Sequence, residues 1–158
     1  NKQYEKNLDS IKLAYKKSPY FNDVYPLVEK VLSENHDTIA DLCIASIKSI
    51  SSHLNLNTKF KKSSENFQHN KNYKKNERLK GITKLENAST YINAIGGKEL
   101  YDKSDFKASG VELYFLNPNL ESYQQFNHKF ISGLSIIDVL MFNSREETKV
   151  LLENYQLE

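Results

Sequence analysis

A Gly-Gly-Lys triplet at Gly96, Gly97 and Lys98, with Tyr101 three residues further on, carries the clearest chemical signal of this chain. Glycines without a Cβ let backbone N–H groups come close to a ligand, and a lysine ammonium adds a compact charge, which together suit a phosphate. Ser63, Ser64 and Glu65 form a second group, offering two hydroxyls and a carboxylate. Glu77 and Arg78 form a third: the pair can bind an amino or carboxyl group, and the guanidinium alone can fork a phosphate. Tyr101 is suited to stacking on a base or a sugar. Plain structural readings stand beside these. Gly96 and Gly97 also fit an ordinary turn, Glu77 a favourable first-turn charge, Arg78 a surface group, and Tyr101 packing in a chain with ten tyrosines. No longer P-loop or dinucleotide spacing surrounds the glycines.

The stretch Leu134 to Asn143 sets Ser135 and Asp138 into an apolar run. Ser135 is explained as a helix N-cap, with Asp138 three residues on in the negatively favoured first turn. Asp138 asks for more, because a buried carboxylate without partners costs several kcal/mol, of order 2 or above, or gives up its charge. It must therefore partner a buried donor or face a site. Glu77 and Asp138 are accordingly the candidate catalytic carboxylates. Ser63, Ser64, Glu65, Arg78, Gly96, Gly97, Lys98 and Tyr101 are the candidate substrate-binding residues.

Several other chemistries find no support in the sequence. His36, His53, His69 and His128 lie far apart without paired metal-ligand spacing, so no metal site is expected. Neither Ser63 nor Ser64 sits in a nucleophile elbow. From Lys59 to Lys84 there are nine basic residues against two acidic ones, in a chain of net charge +2. That segment fits an anionic ligand or a solvated lysine-rich loop. It holds only Phe60, Phe67 and Tyr73 as aromatics and no RNA-binding signature, so nucleic acid is not an expected partner. Cys43, the one cysteine, cannot pair internally and lies in the apolar pattern Ile39, Leu42, Cys43, Ile47; it reads as an inert core thiol in a cytoplasmic protein. No apolar run nears the roughly 18 residues that span a bilayer.

The elements that must position these residues follow from periodicity. With 158 residues and 39% apolar content the chain is sized for one domain with a core. Tyr4, Leu8, Ile11 and Tyr15 share one face of an opening helix that should end before Pro19. A second helix spans about Asn22 to Glu34, with Pro26 in its first turn, and a third runs from an Asp37 cap to Leu54, broken by Asn55 and Asn57. Thr58 to Lys62 reads as a short strand, Lys75 to Glu86 as a crossover helix and Thr90 to Ile95 as the next strand. Another strand, Val111 to Leu116, follows a short helix around Ser104 to Ala108. Leu120 to Phe130 is irregular. Ser135 to Phe142 is helical, and Ser144 to Glu147 is a capping box opening a last helix that carries Leu151, Leu152 and Tyr155. This alternation predicts an α/β fold: a short parallel sheet with flanking helices and helical N-terminal and C-terminal parts. With Thr58 to Lys62 and Thr90 to Ile95 as parallel neighbours, the loops holding Ser63 and Gly96 would face each other at the carboxyl edge.

Five segments in this order resemble the WbqC-like proteins of bacterial surface-polysaccharide gene clusters. They are Lys16 to Phe21; Thr58 to Glu65 leading into Lys75 to Leu79; Thr90 to Lys98 with Tyr101; Phe106 with Gly110 to Phe115; and Leu134 to Asn143. The chain departs from the family at Asn93-Ala94, where a Ser-Gly pair is usual, and near Ser132-Gly133, where a proline is usual. The family opens with a His-Gln-Pro segment rich in tryptophan, while this chain has no Trp and starts at Asn1. It is expected to be the C-terminal two-thirds of a longer domain. The resemblance implies a cytoplasmic enzyme of surface-polysaccharide assembly that binds a nucleotide or sugar nucleotide and attaches an acyl or aminoacyl group to an amino sugar. A non-catalytic nucleotide-sugar-binding or scaffold protein of the same pathway is the alternative. The cofactor is left open, and the reading is compatible with an oligomer.

Overall fold

The computed structural model describes residues 2–126 and 129–158. The chain divides into two compact units, one formed by residues up to Thr58 with Leu120–Asn154, the other by Lys59–Asn119 with Tyr155–Glu158. The fold class is α/β with a short sheet, as the alternation of patterns predicts.

The first unit is helical: α1 Lys2–Tyr15, α2 Phe21–Ser33, α3 Ile39–His53, α7 Ile136–Phe142 and α8 Arg145–Leu152. The Leu8, Ile11 and Tyr15 face of α1 packs on a core of Val24, Tyr25, Leu54, Leu140 and Met141. Ser135 caps α7 by accepting from the Ile137 N–H, and Ser144 with Glu147 closes the expected capping box on α8. Three sequence expectations are corrected here. The N-cap of α3 is Thr38, whose hydroxyl accepts from the Asp41 N–H, and not Asp37. Pro26 sits in the second turn of α2, where its missing N–H leaves the Asn22 carbonyl without that helical partner. Cys43 is exposed, on the rim of an apolar cavity of about 290 Å³ lined by Leu27, Val28, Leu42, Ile50 and Ile137. The stripe that should bury it also leaves Ile39 and Ile47 more than half exposed, so α3 covers its core along one edge only.

The second unit holds the sheet. α4 Ser63–Asn66 and α5 Lys75–Leu85 precede β1 Thr90–Ala94; after it come a 3-10 turn at Ile95–Gly97, α6 Lys103–Ala108 and β2 Glu112–Pro118, and the sheet is completed by β3 Tyr155–Leu157. β1 and β2 are parallel, with Thr90 opposite Glu112 and Ala94 opposite Leu116. β3 runs antiparallel to β2, with Leu116 opposite Leu157 and Pro118 opposite Tyr155. Val111, Leu113 and Phe115 are buried with Phe106 while Glu112 is exposed, as the alternation in this strand predicts. Two expectations fail. Thr58 to Lys62 form no strand and join none of the three sheet strands, so there is no β-α-β unit through α5. Tyr155, expected on the last helix, is instead the first residue of β3.

Candidate functional site

The carboxyl end of β1 leads directly into the 3-10 turn that holds Gly96 and Gly97. Gly97 is buried, and a Cβ there would meet the Asn93 side chain at 3.0 Å, so a larger residue would need that side chain to shift. Gly96 has open space around it and no left-handed φ; its glycine is not a conformational need. Lys98, next in the chain, forms an ion pair with Glu158. The other Glu158 oxygen accepts from Asn117 Nδ2 at 2.8 Å, and the Glu158 backbone exchanges two hydrogen bonds of 3.0 Å with Phe115 of β2. Lys103, at the start of α6, lies over the rings of Tyr114 and Phe115 at 5.7 and 6.0 Å. The bonds from Lys98 and Asn117, with the Lys98 charge, hold the Glu158 carboxyl below the usual carboxylate range, and the charge of Lys103 adds to this. The arrangement is a cationic seat with a carboxylate in it.

A second polar group forms at the start of α5. Lys80, 5% exposed, donates to Glu77 Oε1 at 2.7 Å and to Asp105 Oδ1 of α6 at 2.9 Å. Its hydrogen bonds to the carboxylates of Glu77 and Asp105 raise its pKa despite burial, so Lys80 is a fixed cation and not a base. Glu77 and Asp105 border an open depression of about 670 Å³ together with Tyr73, Lys74, Lys75 and Asn76. Arg78 Nη2 reaches the Ser63 carbonyl at 3.4 Å, which brings the Ser63 turn to α5. Ser63 and Ser64 open the single turn of α4, and Glu65 pairs with Lys62 at 3.1 Å. Tyr101 packs edge-on against Phe106 at 6.1 Å, as a member of the apolar cluster.

Asp138 belongs to the helical unit. It is 4% exposed and accepts three hydrogen bonds: Tyr15 Oη at 3.0 Å, Tyr123 Oη at 2.6 Å and Gln125 Nε2 at 2.8 Å. Of the two roles open to it in the sequence, it has the partnered one. Burial, then the bonds to Asp138, push both tyrosines up to about 12. Three segments are thereby tied at one carboxylate: α1, the 123–125 stretch and α7.

Ser63 and Arg78 are thus brought together, as are Gly97 and Lys98, while Asp138 lies in the other unit. Since residues 59–62 form no strand, the reasoning that set the Ser63 and Gly96 loops face to face has no basis in this fold. Sequence reasoning missed Lys80, Asp105, Lys103, Asn117 and Glu158. A lysine in a basic run reads as solvated, and no local pattern announces a partner on another element. Among the described residues no cluster of three or more His, Cys, Asp or Glu could hold a metal ion, and no helix is long and apolar enough to cross a membrane. His128, one of the four histidines weighed as ligands, lies outside the described residues.

No curated protein and no solved structure matches this chain. A family model does, over residues 1–150, a range that takes in all five of the resembling segments. The chain belongs to the WbqC-like protein family.

Proposed function

We propose that this protein acts in bacterial surface-polysaccharide biosynthesis as an enzyme that binds a sugar nucleotide and transfers an acyl or aminoacyl group to an amino sugar. Family membership supports the pathway, and the observation that supports the ligand is the seat formed by Lys98, Asn117 and Lys103. A carboxylate from Glu158 already sits there, so the groups present are of the kind that hold an anionic oxygen. In this reading a nucleotide phosphate competes with Glu158 for Lys98, the Gly96 backbone is open to close approach, and Arg78 and Glu77 contact the remainder of the substrate.

A binding-only role in the same pathway is favoured by one specific observation. The shifted groups of these two clusters are displaced away from neutrality, Lys80 upward and Glu158 downward, which suits holding charge better than moving protons.

The test is titration of a nucleotide-linked amino sugar into the protein, followed by mass spectrometry after adding ATP and small carboxylic acids. Lys98→Ala is expected to weaken nucleotide binding about tenfold, the scale of one charge-assisted contact. Glu158→Gln, which removes the competing charge, is expected to strengthen it. Equal affinity in all three proteins would remove the phosphate from this seat. A mass-shifted sugar product supports transfer, and binding without product supports the non-catalytic role.

A further inference from the structure

Helix α3 buries none of its fifteen residues, although Leu42, Ile44, Ile47 and Ile50 lie along it. A helix in a globular protein is stabilised chiefly by packing its apolar stripe, so a long helix with every apolar side chain partly open is out of the ordinary. The reason is the apolar cavity of about 290 Å³ between α2, α3 and α7. Its floor is Val24 and Leu140, which are 1% and 2% exposed, so it reaches down to the core of the helical unit.

The lining selects among ligands. Nine of the twelve lining residues are aliphatic, and the other three are Cys43, Ser46 and Ser49 of α3. Among the described residues no charged group and no aromatic ring lines the cavity, in a chain with ten tyrosines and eight phenylalanines. A charged molecule would lose its water there and find nothing to replace it, and a flat base would find no ring to stack on. Hydrocarbon is what such a lining receives well: an apolar cavity of about 150 Å³ is enough to take up benzene. Size excludes another class of occupant. One turn of an α-helix, about 10 Å across and 5.4 Å long, needs about 420 Å³, so a helix of a partner or of a second copy cannot enter. A flexible chain can, and at roughly twice the volume that holds a six-carbon ring the cavity takes about eight to twelve carbons. Cys43 is exposed and marks the mouth, where the polar end of such a molecule stays in water.

We propose that this cavity binds the hydrocarbon chain of a medium-length acyl compound, a free fatty acid or its thioester, with the chain between α2 and α3 and the acyl head group beside Cys43. That the compound is the donor of the transferred acyl group rests on the reading above. Binding of the chain does not, since none of the lining residues belongs to the nucleotide seat.

The test is calorimetric titration of the straight-chain acids from hexanoate to tetradecanoate, below their micelle concentrations, and of decanoyl-pantetheine, into the purified chain at pH 7.5. Affinity is expected to rise roughly fourfold per methylene while the cavity fills, and to level off at about twelve carbons. Tighter binding of the thioester than of decanoate assigns the thioester as the ligand, and the reverse order assigns the free acid. Ser49→Leu, which adds a branched chain to the cavity wall and takes nothing from the core, is expected to weaken decanoate at least tenfold with an unchanged or higher melting temperature. Leu42→Ala removes three carbons from the wall and is expected to move the plateau to chains about two to three carbons longer. Cys43, the one cysteine, reports occupancy: saturating decanoate is expected to slow its alkylation by a maleimide at least fivefold. The proposal is overturned if no acid binds saturably, if affinity keeps climbing to tetradecanoate as surface adsorption would, or if Ser49→Leu binds as the parent does. It is equally overturned if alkylation of Cys43 is unchanged, or if light scattering shows a dimer that Ser49→Leu dissociates. Failure of the nucleotide reading would show elsewhere, in nucleotide affinity unchanged by Lys98→Ala.

Discussion

Asp138 is held by two tyrosine hydroxyls and one amide, and so its substitution tests the fold before any chemistry. Asp138→Asn removes the charge and turns part of an acceptor into a donor facing other donors. It is expected to cost about 2 kcal/mol, the range for charge-assisted buried hydrogen bonds, read as a lower urea midpoint. The same contact makes a pH prediction. Tyr15 and Tyr123 ordinarily titrate at 10.0 and are pushed up to about 12 in the folded protein. A group with a raised folded pKa contributes stability that is complete below the unfolded value and lost as pH climbs through the folded one. Stability is therefore expected to fall between pH 10 and about 12, and Tyr15→Phe to make that fall shallower. Urea titrations across this range read both slopes, and identical slopes would mean that Tyr15 does not share the proton linkage.

The elements divide by what their formation depends on. Three helices end alike: α3 at Asn55, α5 at Asn87 and α6 at Gly110, each with a left-handed residue just past the cap. In each, the next N–H reaches back to the carbonyl five residues earlier: Leu56 to Ser51 at 2.8 Å, Ala88 to Thr83 at 3.0 Å and Val111 to Phe106 at 3.1 Å. Gly110 has φ +77° and open space for a Cβ, so Gly110→Ala carries a purely conformational cost of about 1 kcal/mol. Gly96 also has open space but no positive φ, and Gly96→Ala is expected to leave stability unchanged. Thermal melts of the two variants side by side check the contrast.

Helix signals such as these are local, and so α2, α3, α5, α6 and α7 were legible within a residue or two, as were the Ser135 cap and the Ser144 capping box, whereas the single turn of α4 was not. Strands need a partner, and this explains both strand errors. Thr58 to Lys62 have an extended pattern but pair with no strand, while Tyr155 fits a helical spacing yet pairs with Pro118. The candidate site follows the same division. Gly97 and Lys98 stand out in sequence, but Glu158, sixty positions from Lys98, does not. Cys43 was misread because an apolar stripe says which face is sticky, not how far a neighbouring helix extends over it.

At the scale of the whole molecule, each compact unit is assembled from two separated stretches of chain. The helical unit is closed by α7, whose Asp138 bonds to Tyr15 from 123 residues away. The sheet unit is closed by β3, whose neighbour β2 precedes it by the whole 120–154 stretch. During synthesis from the N-terminus, α1 to α3 emerge without the core residues Leu140 and Met141, and β2 emerges with one edge unpaired. Neither unit can settle until the segment from Ile136 to Leu157 has been made, and long loops must then close at once. Partly synthesised chains will therefore carry bare apolar helix faces and an open strand edge, which makes the interval before Ile136 to Leu157 emerge the period of greatest exposure to aggregation.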